Sequence, residues 1–146
     1  MSTIERALEI ARAAHAGQVD KAGSDYISHP VRVSESVEGE TAGIAALLHD
    51  VVEDCPYWTL DRLRSEGFSE AVVSAVDAVT RQPGEDYFDF VRRAAAHPVG
   101  RVVKIADIRD NLDRSRLRFV TPADENRFDR YAKALELLQG WSSKRS

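Results

Sequence analysis

The 146 residues carry a net charge of −4, with 43% apolar and 30% charged side chains, a balance that fits one globular domain with a substantial core. The negative charge gives no overall footprint for nucleic acid, and no apolar run approaches the roughly 20 residues that span a bilayer. A single cysteine, Cys55, excludes an internal disulfide, and with no signal-peptide pattern at the N-terminus it points to a reducing, cytoplasmic setting.

Taken in order, the chain reads as helices. Ser2 or Thr3 caps a first helix whose apolar stripe is Ile4, Ala7, Leu8, Ala11 and Ala14 or His15. Gly17 ends it, and residues 17–28 form a polar loop. His29-Pro30 opens the next helix, with proline at its first position; Val31, Val33 and Val37 face inward and Gly39 ends it. A third helix starts at Glu40 or Thr41 and runs without interruption to Asp54, where Cys55-Pro56 stops it. Gly43, Ala45 and Ala46 keep it slim for close neighbours.

Thr59 caps a short helix with Leu60 and Leu63, closed by Gly67, and Ser69 caps another with Val72, Val73, Val76 and Val79. The three- and four-residue spacing of those valines selects helix over strand. Gln82-Pro83-Gly84 is a turn, and Tyr87 to Ala95 is a helical face closed by His97-Pro98. A long segment from Val99 follows. Thr121-Pro122 then caps a last helix carrying Phe128, Tyr131, Ala132, Leu135 and Leu138. The expected fold is all-α, a single domain over 1–146 built from seven or eight helices, with its core at 3–140 and a frayed tail at 141–146.

Residues 45–54, Ala-Ala-Leu-Leu-His-Asp-Val-Val-Glu-Asp, set ionisable groups directly against apolar ones. Carboxylates in such company are paired, hydrogen-bonded or metal-bound. His49 and Asp50 are therefore read as metal ligands, and Glu53 and Asp54, one turn on, as the groups that handle water. Neighbouring helical residues diverge by about 100°, so the ion lies off the helix flank and needs further ligands. Asp107, in an apolar helix with Lys104 and Asn111 on the same face, is one candidate, and His29 is the other. Two imidazoles and two carboxylates suit manganese, iron or another first-row divalent ion better than thiolate zinc. Such an ion acidifies the water it holds, which can then attack a phosphoryl centre. Lys21, Lys104 and Asn111 are placed to meet phosphate or sugar.

These segments resemble a family. Ala14-His15-Ala16-Gly17-Gln18, Lys21 with Gly23, Tyr26-Ile27-Ser28-His29-Pro30, residues 45–54, and Lys104-Ile105-Ala106-Asp107 with Asn111-Leu112 are similar to the HD-domain phosphohydrolases. More narrowly, they resemble the hydrolase domain of RelA/SpoT-type alarmone enzymes in stand-alone form. The resemblance covers most of residues 5–140. It implies manganese-dependent removal of a 3′-pyrophosphate from guanosine tetra- or pentaphosphate. It assigns His29, His49, Asp50 and Asp107 to the metal and Glu53 and Asp54 to catalysis, with Lys21, Tyr26, Lys104 and Asn111 in or near the nucleotide pocket. At this length neither a synthetase nor a regulatory domain is expected beside it.

Two positions depart from the family pattern. Asp20 stands where an arginine usually packs on the base, and Asp25 stands before the tyrosine in place of proline. An acidic side chain cannot stack as a guanidinium does. An adenine alarmone, a nicotinamide dinucleotide phosphate or another phosphorylated nucleotide is therefore an alternative substrate, and a silent nucleotide-binding module is a third reading. Elsewhere, His15 reads as a packed, hydrogen-bonded histidine, His97 as a surface cap and Cys55 as a bystander. Arg109, Arg114, Arg116 and Arg118 read as a solvated face from which Arg114 can reach a phosphate tail. Tyr57 and Trp58 read as packing residues.

Overall fold

The computed structural model describes residues 3–141. Within them lie nine α-helical segments and one short 3-10 turn. The helices are α1 (Ile4–Ala14), α2 (Ser28–Glu35), α3 (Glu40–Leu48), α4 (Val51–Asp54), α5 (Leu60–Ser65), α6 (Glu70–Ala78), α7 (Tyr87–Ala96), α8 (Pro98–Asn111) and α9 (Pro122–Gln139). The 3-10 turn, Arg114–Arg116, lies between α8 and α9. The extra helix arises because the expected 40–54 helix is two helices, α3 and α4, separated at His49 and Asp50.

Most helix starts follow local chemistry. The side chains of Thr3, Thr59, Ser69 and Thr121 each accept a backbone N–H of the first turn, meeting donors a helix leaves without a partner. At α9 Asp124 returns the bond to the Thr121 N–H, completing a capping box. Pro30 is the third residue of α2, not its first, since the helix begins at Ser28.

Helix α3 is the hub. It packs on α1, α2, α6 and α8, and every residue from Ala42 to Leu48 is buried. The tight packing is possible because Gly43 has no side chain. A Cβ there would sit 3.2 Å from Ile4 Cδ1 of α1 and 3.4 Å from Ser34 Oγ of α2. The α2–α3 turn depends on Gly39, whose φ of +91° suits glycine and few others.

Helix α8 joins two apolar clusters. Val103 belongs to the one around α3, and Ile108 to a second with Val91, Ala95, Ala134 and Leu138 from α7 and α9. In α9 the buried alanine is Ala134, whereas Ala132 is exposed, because the inward stripe follows Phe128, Tyr131, Ala134 and Leu138. Trp141, expected in the tail, packs on this second cluster; the rest of that tail lies outside the described residues. Trp58 packs against the first cluster, but Tyr57 is exposed and lies beneath the Arg62 guanidinium. Among the described residues no helix is long and apolar enough to cross a membrane.

Candidate metal centre and nucleotide cavity

The break between α3 and α4 makes the site. His49 leaves the regular hydrogen-bond ladder, its backbone N–H reaching back only to Ala46 O. Its Nδ1 also donates to Ala46 O, at 2.5 Å. That fixes the ring with Nε2 pointing the other way. The Asp50 carboxylate folds alongside, with Oδ2 3.0 Å from His49 Nε2. The two neighbours converge because the helix is interrupted there, not because an ion sits off the flank of a continuous one.

His29, on the first turn of α2, supplies a third donor. One ligand atom each from His29, His49 and Asp50 lies within 4.8 Å of the others. Asp107 of α8 closes the cluster, its Oδ1 lying 2.9 Å from His29 Nε2 and 3.3 Å from His49 Nε2. The four side chains come from two helices, α2 and α8, and from the break between α3 and α4.

Charge balance around this point tests whether a cation fits. His49 is 2% exposed, and its Nε2 makes no hydrogen bond although carboxylate oxygens lie on two sides of it. Buried acceptors facing one another require a positive charge between them. Without a metal, only a ring proton can provide it. Burial opposes that proton, but the charges of Asp50 and Asp107 prevail and hold the His49 ring's pKa well above its ordinary value. Burial alone would raise the Asp50 carboxyl as well, yet the His49 charge holds it down to about 2. The donor set therefore fits a divalent cation.

Asp107 is held by neighbours on its own helix. Lys104 Nζ lies 2.9 Å from its Oδ2, and Asn111 Nδ2 donates to its Oδ1 at 3.2 Å. Lys104 is 9% exposed and rests over the Phe90 ring. Burial opposes its charge, but Asp107 raises its pKa above the ordinary lysine value. It is not among the residues lining the cavity described below.

Beside the metal cluster opens a cavity of about 450 Å³. Lys21, Tyr26 and Asn111, all expected near a nucleotide, line it, as does His29. The Tyr26 hydroxyl donates to Asp50 Oδ2, so its ring stands between cavity and metal cluster. Burial and the Asp50 charge keep its proton on. Asp20 has a structural task in this wall. Its Oδ1 accepts from the Ala22 and Ser24 N–H groups, at 2.9 Å each, and so staples the loop that presents Lys21.

Glu53 and Asp54 end α4 on the exposed side of the cluster. Neither side chain makes a hydrogen bond or ion pair within the described residues. Partial burial first, and then the Asp50 charge, raise both carboxyls above their ordinary values.

Sequence reasoning missed four side chains here. Asp110 accepts from His29 Nδ1 at 2.6 Å and from Arg32 Nε at 2.8 Å. Arg116 and Arg127 line the cavity. Arg116 is paired with Asp113 and Arg127 with Asp124, so Arg116 is no member of a merely solvated face. The available signal was spacing: Arg32 is three residues after His29, and Asp110 three after Asp107, each on its partner's helical face. Arg114, in contrast, pairs with Glu125 and covers Phe128, and does not line the cavity. His15 is packed against Tyr26 and bonded to Gln18, as expected. His97 accepts from the Gly100 N–H as the cap of α8. Cys55 donates to Ala14 O at 3.2 Å.

Comparison with known proteins adds independent findings. A bifunctional (p)ppGpp synthase/hydrolase, RelA, from Mycobacterium tuberculosis is 35% identical over 150 residues, covering 95% of this chain and 19% of that protein. A guanosine-3′,5′-bis(diphosphate) 3′-pyrophosphohydrolase from Haemophilus influenzae is 45% identical over 76 residues, 49% of this chain and 11% of the relative. The chain thus spans less than a fifth of the length of these relatives. A solved metazoan orthologue of SpoT that hydrolyses ppGpp shares the fold, with a TM-score of 0.76 at 24% identity over 96% of this chain and 87% of that one. The HD domain model matches residues 7–111, the span that contains every candidate metal and catalytic residue, and the chain belongs to the HD-domain family.

Proposed function

We propose that this domain is a divalent-metal-dependent phosphohydrolase that removes the 3′-pyrophosphate of guanosine tetra- or pentaphosphate, with manganese as the metal and the cytoplasm as its setting. The observation that carries the reading is the unpartnered His49 Nε2, buried among Asp50, Asp107 and His29 beside a cavity of nucleotide size. The RelA and SpoT relatives support the substrate class.

His29, His49, Asp50 and Asp107 would hold the metal. When bound, the ion supplies Lewis-acid polarisation of a phosphoryl oxygen and acidifies a water. The chain's own residues do the rest. A carboxylate oxygen of Glu53 takes the proton from the attacking water, and Asp54 beside it passes that proton to solvent or to the leaving oxygen. Their raised carboxyls bring proton uptake closer to neutrality. Tyr26 stays protonated and fixes Asp50 through its hydroxyl. Lys104 holds Asp107 with one oxygen turned toward the two histidines. Lys21 meets the phosphates from the loop, and Asn111 meets the sugar at the cavity wall.

Asp20 favours a second reading of the base. It lines the cavity where a stacking guanidinium is usual in the family, and its carboxylate is committed to the loop backbone. Under this reading the chemistry is unchanged and another phosphorylated nucleotide, an adenine alarmone or a nicotinamide dinucleotide phosphate, is preferred. A panel of these nucleotides incubated with Mn2+ and resolved by anion exchange tests both. Release of pyrophosphate from the 3′-pyrophosphorylated guanosine nucleotides supports the main reading. Turnover of the others alone transfers support to the second, and tight binding without turnover under any divalent ion contradicts both.

A further inference from the structure

Asp110 makes an arrangement that no role assigned so far requires. It lies on α8 three residues beyond Asp107, and its Oδ2 accepts from His29 Nδ1 at 2.6 Å. His29 uses its other ring nitrogen, Nε2, toward Asp107 and the metal cluster. The imidazole is thus gripped between two carboxylates of one helix, 78 and 81 residues away in the chain. Asp110 is itself fixed. Arg32, one turn after His29 on α2, gives it a two-point clamp, Nε to Oδ1 at 2.8 Å and Nη2 to Oδ2 at 3.0 Å. Arg116 adds a third cationic contact at 3.6 Å.

We propose that the Arg32–Asp110 pair is a positioning device for His29, setting its tautomer and ring direction so that Nε2 presents a lone pair to the metal. The proposal rests on the reading of His29 as a metal ligand and adds to it a residue pair outside the ligand set. The chemistry is that of an outer-shell carboxylate. A neutral imidazole carries one N–H, and a strong acceptor at Nδ1 keeps that proton there and leaves Nε2 free to coordinate. The same bond makes the ring more electron-rich and stops it turning about its Cβ–Cγ bond. Arg32 supplies what the carboxylate alone lacks. A planar guanidinium holding both oxygens leaves Asp110 no other orientation. It also neutralises a charge that would otherwise compete with Asp107 for the cation. Loss of such a partner typically weakens metal binding by about 10- to 100-fold.

The test is Mn2+ affinity by isothermal titration calorimetry on the whole chain, with thermal unfolding of each metal-free variant as the measure of folding. Asp110→Asn keeps shape and still accepts from His29, but removes the charge. Arg32→Gln leaves the carboxylate and releases its clamp. The expected result is weaker Mn2+ binding, about 10-fold or more for Asp110→Asn and less for Arg32→Gln, at unchanged stoichiometry. Asp110→Glu is expected to recover part of the loss. His29→Ala separates the two levels of the argument. If it binds Mn2+ like the parent chain, the ligand reading fails and the positioning role with it. If it loses affinity while Asp110→Asn, folded by its unfolding transition, binds as tightly as the parent, the positioning role alone is overturned. If Asp110→Asn does not fold, Arg32→Gln carries the test, and parent-like affinity in that variant overturns the proposal.

Discussion

Lys104 Nζ lies 2.9 Å from Asp107 Oδ2, and both groups are almost fully buried. The ammonium therefore neutralises one oxygen of a carboxylate whose other oxygen faces His29 and His49. Removing one partner of a buried pair leaves an uncompensated charge, which costs about 3 kcal/mol or more. Lys104→Met is expected to lower metal-free stability by about that amount. Mn2+ would then stabilise the variant more than the parent, because it supplies positive charge at Asp107. Urea unfolding with and without Mn2+ measures both, and equal metal stabilisation in the two proteins would contradict this electrostatic picture.

Asp50 and Glu53 are three residues apart, close to one helical turn, but are assigned different work. Asp50→Ala is expected to lose metal and turnover together, since it removes a donor from the cluster. Glu53→Gln keeps a similar shape and removes only the proton acceptor. It is expected to keep metal and to lose turnover by about 100-fold or more. Metal analysis of the purified variants beside initial rates separates the roles. Retained metal in the first, or parent-like turnover in the second, speaks against the assignment.

The helix starts were largely legible. Thr3, Thr59, Ser69 and Thr121 cap as their sequence context indicates, because a cap is a contact within one turn. The break at His49 was not, since Ala46, Leu47, Leu48 and Val51 are ordinary helix residues. What interrupts them is tertiary: the cluster with His29 and Asp107 holds His49 and Asp50 out of line. His49, Asp50 and Asp107 stood out because ionisable groups among apolar ones need a partner, and His29 stood out as a ligand-type residue at a helix start after a polar loop. Asp110 and Arg32 were not, since each looks like a surface charge until α2 and α8 are packed together. Asp20 was visible as a departure, but its staple to Ala22 and Ser24 depends on loop geometry.

Thr121 offers a direct check on that local reading. Its hydroxyl accepts the Asp124 N–H, and Asp124 returns the bond. Thr121→Ala is expected to cost about 1 kcal/mol, read as a lower urea midpoint with an unchanged slope. No loss of stability would mean that α9 is anchored by its packing alone.

Glu85 gives a pH-dependent term away from the site. Arg93 grips both its oxygens, at 2.9 and 3.0 Å, and also donates to the carbonyls of Asp77 and Thr80, tying α6, the turn and α7 together. The Arg93 bonds hold the Glu85 carboxyl below its usual value. A depressed carboxyl adds stability that is complete above its unfolded pKa, about 4.3, and is lost as pH falls through the lower folded value. Glu85→Gln is therefore expected to cost about 1–2 kcal/mol near neutral pH. The gap to the parent should close on acidification. A gap that stays constant with pH would show that the ion pair is not its source.

The central claim is metal-dependent hydrolysis at the HD cluster, and it is tested most directly by pyrophosphate release from guanosine tetraphosphate. The parent chain with Mn2+ is predicted to release one pyrophosphate for each guanosine diphosphate formed. Chelation should stop the reaction, restored Mn2+ should restart it, and Asp50→Ala should remain inactive throughout. Pyrophosphate release that survives chelation, or that persists in Asp50→Ala, would contradict the account.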